Sequence, residues 1–562
     1  MSKRIIYFVL VVVVLIAAVM RFAWLGQVPI GVTPDEIQQG YSAYSILQTG
    51  RDEWGDFLPI FPRSFGDYRP PLYVYLTVPS VALFDLNMFA VRFPSALFGV
   101  LSVLMLFVLV EELFRNEQKP LFSKQIALLA SIILTISSWH LFYSRAAWES
   151  NVTIFFFMMG LWLFLKGFRL KRRVLLGLSA LSFGLTMFGY YSFQLFTPLF
   201  VSGLLVLKFV QTGDIKEIFK KKELVSFVVL FGLFVSLLAY GQLFTGAGRR
   251  ASDAAIYNSE NLSALREKQV SDPLPQPWGR VINNRLAYLG SQFSQNYLGY
   301  FSTTFLASPD RSDSSLYNLP GQWLLSVWEI LFILSGIFAL FKLKIAQSRI
   351  IFLWLLVAPI PAALTRNYMH TQRVEVLLLL FPVLAALGIY WVFSLLKNIK
   401  GLQFSFVGIL MVVMVYSLVV RIDFYAFHQF ERPLGGVHYN YEEIFKFAEQ
   451  NKDKYDQVLF TQSQGQPQIY LAFYTKMDPT YFQSQSQNWK DFEKEFKFLD
   501  QTEYTLGKYY FKKMGWDIDK YKNNTMIIGG ESETPDGVKA DKTFKDPFDK
   551  IMFRVFDTNN DL

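Results

Sequence analysis

Apolar residues run through the first three quarters of the chain in eleven blocks close to the ~20 residues that cross a hydrocarbon core. They lie at 5–25, 89–114, 124–142, 152–168, 174–190, 193–210, 224–244, 323–341, 350–364, 374–393 and 404–420. Two further stretches, 71–86 and 281–306, are aromatic and amphipathic rather than continuously apolar. That pattern suits helices lying in a membrane interface, and packed loop structure equally well. After Arg421 the pattern becomes that of a soluble domain, with short β-rich runs at 457–461, 468–474, 525–529 and 551–556 and a helical stretch at 441–450. The expectation is an α-helical polytopic membrane protein of about eleven spans over 1–421, followed by a small α/β domain over 422–562. No internal repeat and no low-complexity tract interrupts this order.

Composition supports the bilayer as solvent, since 52% of the 562 residues are hydrophobic and 17% aromatic, too apolar for an ordinary soluble enzyme. Lys and Arg fall in alternate connections, at 3–4, 115–124, 166–173, 216–222, 342–349 and 397–400, which the positive-inside rule makes cytoplasmic. An odd number of crossings then puts the N-terminus inside and the segments 26–88, 245–322 and 422–562 outside. The first span lacks an obvious small-residue cleavage site beside Arg21, so a retained anchor is expected rather than a cleaved signal peptide. No organelle-retention signal stands at Asn560, Asp561 and Leu562, and a plasma (inner) membrane is expected, although an endoplasmic-reticulum membrane would give the same topology.

The formal charge of +9 is unevenly spread, with about 36 basic and 22 acidic side chains before residue 422 and about 18 and 23 after it. The excess belongs to the membrane part, so no nucleic-acid partner is expected. Absence of cysteine excludes disulfides, thiolate metal sites and a catalytic thiol. With only four histidines and no metal-ligand spacing, neither metal nor other cofactor is expected.

Polar residues concentrate on the predicted outer face in four groups. The first follows the first span, where Asp35 and Glu36 stand together near an interface, a costly placement that suggests a task such as general-base catalysis. An alternative is that Thr33 or Asp35 caps the helix beginning near Glu36. In the second group Asp67, Tyr68, Arg69 and Tyr73 surround a Pro-Pro turn; Arg69 suits a phosphate and Asp67 a sugar hydroxyl, unless the prolines merely start a helix and Arg69 snorkels. The third holds Arg145, Glu149 and Asn151, and on a helix Arg145 and Glu149 would share a face as an ion pair. The fourth places Arg366, His370 and Arg373 beside Glu375, cations on the outer side against the positive-inside trend, which suits a lipid phosphate. Tyr190, Tyr191 and Gln194 lie in a tight outer turn and suit stacking on a sugar, or simply an aromatic belt.

Three blocks carry a family resemblance: Arg21-Phe-Ala-Trp-Leu-Gly with Pro34-Asp35-Glu36, Arg69-Pro-Pro-Leu-Tyr73, and Ala90-Val-Arg92-Phe-Pro-Ser-Ala-Leu97. Together with Ser144-Arg145 to Glu149 and the pattern from Arg373 to Ala385, they resemble the GT-C glycosyltransferases, in the protein O-mannosyltransferase and aminoarabinose-transferase branch. The resemblance implies a polyprenyl-phosphate sugar donor, inverting transfer to a hydroxyl on the outer face, and interfacial helices in the first outer loop. By position it assigns Asp35 as catalytic base with Glu36 its acidic neighbour, and Arg69 and Tyr73 to the site lining. Arg145 and Glu149 match a second polar loop, where many relatives have aspartate in place of Glu149. Arg373 matches a basic position near the donor phosphate. The acceptor class is left open among protein, glycolipid and polysaccharide. Oligosaccharyltransferase relatives use a divalent ion, which leaves metal open as well. The competing expectations are transfer of an oligosaccharide from a pyrophosphate lipid and a polytopic lipid or sugar transporter.

Overall fold

The computed structural model describes residues 2–64, 67–115, 120–212, 222–245, 248, 255–257, 263, 278, 284–308, 322–343, 348–366, 369–428, 437–489, 502–535 and 537–560. The chain forms two compact units that do not follow sequence order. One comprises Met1–Arg21, Ser95–Ser144 and Trp148–Ile422; the other comprises Phe22–Pro94, Arg145–Ala147 and Asp423–Leu562.

All eleven predicted spans are helical. Among the described residues seven helices are long and apolar enough to cross a membrane: Lys3–Phe22, Met88–Leu113, Glu149–Leu170, Tyr191–Val210, Leu224–Phe244, Thr371–Leu395 and Lys400–His428. The other four predicted spans are shorter helices: Pro120–Ile136 followed by Ser138–Tyr143, Arg173–Met187, Val327–Lys342, and Ser348–Val357 followed by Ile360–Ala363. Within the membrane unit Val327–Lys342 packs on Leu380–Leu395 at backbone distance. A Cβ on Gly336 would fall 1.9 Å from the Leu384 carbonyl oxygen, and one on Gly388 2.0 Å from that of Phe332. Glycines here let two apolar helices touch where lipid offers no competing hydrophobic drive. The segments predicted to lie at the interface are also helical, as Leu72–Phe84, Arg285–Gly299 and Thr303–Ala307.

The second unit is built on a six-stranded sheet, with β3 (Gln457–Thr461), β4 (Tyr504–Leu506), β5 (Tyr509–Lys512), β6 (Thr525–Gly529), β7 (Lys542–Lys545) and β8 (Ile551–Asp557) in the order β4-β5-β3-β6-β8-β7. The three central strands run parallel and the outer ones antiparallel. Three of the four predicted β-runs are strands. The fourth, 468–474, is instead the helix Pro467–Tyr474. Its aromatic composition favours a strand locally, but Pro467 presets the first helical turn and every residue from Ile469 to Phe473 is buried, an all-round burial that a short apolar run meets in either conformation. This helix packs on Pro34–Thr49 of the same unit, and so positions the residues considered next.

Candidate active site

Helix Pro34–Thr49 begins with a proline at its first turn and a capping box, in which the Thr33 hydroxyl accepts from the Glu36 N–H and the Glu36 carboxylate accepts from the Thr33 N–H, both at 3.1 Å. Capping and carboxylate placement therefore operate together at this turn. The two acids then separate. Glu36 is buried, with Oε1 accepting from Arg92 Nε at 2.8 Å and from the Ala147 N–H at 3.1 Å, and Oε2 accepting from Arg92 Nη2 at 3.3 Å. Arg92 spends its remaining donors on the carbonyls of Leu25, Pro29 and Gly31, so one buried guanidinium ties the chain entering the helix to the acid in its first turn. Asp35 instead keeps a third of its side chain exposed and accepts from Arg69 Nη2, whose own side chain is nearly buried.

A third guanidinium belongs to the same unit. Arg145 donates to the carbonyls of Ala23 at 2.7 Å and Val28 at 3.1 Å, and lies 5.1 Å from the centre of the Tyr425 ring. Burial, with the nearby Arg92 charge, pushes it down to about 10, so it remains cationic at neutral pH. Arg69 is thus paired with Asp35 and Arg92 with Glu36, while Arg145 is held by backbone carbonyls and the Tyr425 ring, a cation that suits an anionic group. Arg145 sits in a turn before helix Glu149–Leu170. The expectation that Arg145 and Glu149 share a helix face is corrected: Arg145 lies in the turn, and Glu149 opens the helix.

The other predicted residues are distributed as follows. Tyr73 is fully buried and donates from its hydroxyl to the Val91 carbonyl at 2.9 Å. Tyr68 pairs with Ser64's strand through the short β1 (Arg63–Ser64) and β2 (Asp67–Tyr68), and its hydroxyl accepts from Arg63 at 3.1 Å; the Asp67 side chain lies outside the described residues. In the membrane unit, Glu149 and Asn151 are buried at the start of their helix, and Asn151 donates to the Ser95 carbonyl at 2.8 Å. Tyr190 and Tyr191 meet edge to face at 6.2 Å, and Gln194 accepts from Gln242 at 3.1 Å. Arg366 is exposed, His370 is buried, and Arg373 donates to the Thr365 hydroxyl at 2.6 Å. Asp35 and Arg69, from two separate groups of predicted residues, are joined directly as an ion pair.

Sequence reasoning assigned no role to Arg92, Tyr425, Gln38, Ser42 or Glu53. One signal existed: helix Pro34–Thr49 is polar in composition, yet ten of its residues, from Glu36 to Ile46, are buried. A polar helix that is buried must satisfy its side chains internally or present them to a ligand. Among the described residues no group of three or more His, Asp or Glu is gathered closely enough to hold a metal ion.

A multi-span helical unit, an acid paired with arginine after the first helix and a small sheet domain together make up a GT-C fold. Residues 68–240 match the family described as dolichyl-phosphate-mannose-protein mannosyltransferase. ArnT from Cupriavidus metallidurans, solved bound to undecaprenyl phosphate, is similar to the chain at 13% identity and a TM-score of 0.53, covering 97% of each chain. Archaeoglobus fulgidus AglB, an oligosaccharyltransferase solved with an inhibitory peptide and a dolichol-phosphate, is similar at 16% identity and a TM-score of 0.50 over 84% of this chain and 60% of its own. At these identities the likeness establishes the fold. No curated protein matches the chain by sequence.

Proposed function

We propose that the protein transfers a sugar from a polyprenyl-phosphate donor to an acceptor hydroxyl on the outer face of the membrane, with inversion, and that Asp35 is the general base. The observation that carries this reading is the separation of the two adjacent acids: Glu36 is saturated by Arg92 and backbone N–H groups, whereas Asp35 stays partly exposed against Arg69. Glu36 then holds the turn in place, and Asp35 is the partly exposed carboxylate that meets a substrate. The donor class is supported by the undecaprenyl phosphate and dolichol-phosphate with which ArnT and AglB were solved and by the Arg145 guanidinium, which is held by backbone carbonyls.

The acceptor oxygen attacks the anomeric carbon as the bond from that carbon to the lipid phosphate oxygen breaks, and the hydroxyl proton passes to Asp35. The lipid phosphate departs as an anion, which Arg69 and Arg145 stabilise electrostatically. Arg366, His370 and Arg373 are candidates for lipid-phosphate binding in the membrane unit, and Glu149, Asn151, Tyr190, Tyr191 and Gln194 for sugar contacts there.

The test is release of free polyprenyl phosphate from a panel of radiolabelled polyprenyl-phosphate sugars, with membrane extract as acceptor, by wild type beside Asp35→Asn. Wild-type turnover and a loss of about 10²–10⁴-fold in a folded Asp35→Asn protein are expected for a removed general base. Turnover by Asp35→Asn at the wild-type rate would remove Asp35 from the mechanism, and absence of turnover with every donor would remove the donor class.

A further inference from the structure

Asp35, Gln38 and Ser42 are three and four residues apart and so occupy one face of helix Pro34–Thr49. Below them lies Glu53, a buried carboxyl from the loop that follows the helix. The Ser42 hydroxyl donates to Glu53 Oε2 at 2.7 Å, Gln38 Nε2 donates to the Ser42 hydroxyl at 3.0 Å, and Gln38 also reaches the Glu53 carboxyl. The loop is pinned behind it, as the Ser486 hydroxyl donates to the Glu53 carbonyl at 3.1 Å and Gln483 Nε2 to the Asp52 carbonyl at 3.1 Å. One atom in this cluster stands out: Gln38 Oε1 is buried and accepts no hydrogen bond from any described group. An ionised Glu53 cannot supply one, because a carboxylate only accepts; a protonated Glu53 has one hydroxyl to donate.

We propose that Glu53 is a positioning residue for the Asp35 site: as a neutral acid it donates to the Gln38 amide oxygen, closes a hydrogen-bonded ring through Ser42, and fixes the helix face that carries Asp35. The inference rests on the reading of Asp35 as the base. The titratable and charged groups facing Glu53 are Tyr41 from the helix, Asp52 from its own loop and Arg69 from the turn before Leu72–Phe84; helix Pro479–Ser486 contributes the uncharged Gln483 and Ser486. Burial, aided by Asp52, holds the Glu53 carboxyl well above the usual carboxylate range, against the opposing pull of Ser42, Gln38 and Arg69. Once ionised, Glu53 opens the ring and sets a second carboxylate in the field of Arg69, where it competes with Asp35 for the guanidinium. Glycosyl transfer therefore falls on the alkaline side as Glu53 loses its proton.

Glu53→Gln is the decisive variant, because its amide can donate to Gln38 Oε1 and accept from Ser42 while carrying no proton to lose. Turnover of the polyprenyl-phosphate donor is measured across pH for wild type, Glu53→Gln and Ser42→Ala. The expected result is that Glu53→Gln keeps the neutral-pH kcat and loses the alkaline limb, a fall of about tenfold per pH unit for a single ionisation. Ser42→Ala should lower kcat without changing KM for the donor. A folded Glu53→Gln protein that keeps the wild-type alkaline limb, or that is inactive at every pH, overturns the proposal.

Thermal unfolding of the purified proteins across pH gives a readout that needs no activity. The folded state keeps a proton on Glu53 that the unfolded chain releases above the ordinary glutamate value. Stability should therefore fall as pH rises from that value through the raised folded one, and Glu53→Gln should remove that fall. Parallel wild-type and Glu53→Gln curves would sink the ring. An active Asp35→Asn protein beside non-parallel curves would instead sink the assignment of the base.

Discussion

Two adjacent carboxylates face different tests at the scale of the single residue. Glu36 accepts from one guanidinium and two backbone N–H groups in a buried setting, and removing one partner of a buried ion pair leaves the other uncompensated, at a cost of about 3–5 kcal/mol. Glu36→Ala should accordingly lower the unfolding midpoint in detergent, with loss of activity following loss of fold. Asp35→Asn, at a partly exposed position, should leave that midpoint close to wild type while transfer is lost. Thermal unfolding and donor turnover on the same preparations separate the outcomes, and equal midpoint shifts in both variants would contradict the division of roles. The sequence alone paired Asp35 with Glu36 as one candidate unit. Their separation was not legible because it depends on Arg92, 56 residues away from Glu36, and on the N–H of Ala147, and neither contact is marked by local spacing.

The decisive element is helix Pro34–Thr49, and its placement depends on a glycine. A Cβ at Gly40 would stand 2.5 Å from Val91 Cγ2 and 2.7 Å from Phe473 Cε2, so the helix meets the start of Met88–Leu113 and the helix Pro467–Tyr474 at a position with no room for a methyl group. Gly40→Ala should gain some helix propensity yet destabilise by about 1–3 kcal/mol through overpacking. It should also lower turnover in the fraction that stays folded, because the Asp35 end of the helix must shift. A Gly40→Ala protein as stable and as active as wild type would show that these contacts relax without cost. This element also marks the limit of sequence reading. The cap at Thr33 is written locally in Thr-Pro-Asp-Glu and was legible. Pro467–Tyr474, the helix that buries the far side of Gly40, read as a strand because its aromatic residues are buried all round, and periodicity has nothing to report when no face is exposed. Strands β4, β5 and β7 went unread for a related reason: at three or four residues each they are too short to establish an alternation.

For the whole molecule, the apolar blocks and the alternation of basic connections were the most legible features, because a bilayer imposes one length and one charge asymmetry on every span. All eleven blocks are helices, and seven reach spanning length and apolarity among the described residues. Orientation is then a consequence of charge: Lys3, Arg4, Lys171 and Arg172 should face the cytoplasm, and the domain carrying β3–β8 should face outward. The chain is well suited to a direct test, since it contains no cysteine and any introduced thiol is the sole target of a maleimide. Single cysteines at Lys171, in the turn after helix Glu149–Leu170, and at the exposed Lys550 should respond oppositely in intact cells. Lys550→Cys should react with a membrane-impermeant maleimide, and Lys171→Cys should react only after the membrane is opened. The reverse pattern would place Asp35 on the cytoplasmic side of the membrane, and with it would go the transfer of sugar at the outer face, since the segment from Gln27 to Asn87 shares its side with the domain after Arg421 for any even number of crossings between them.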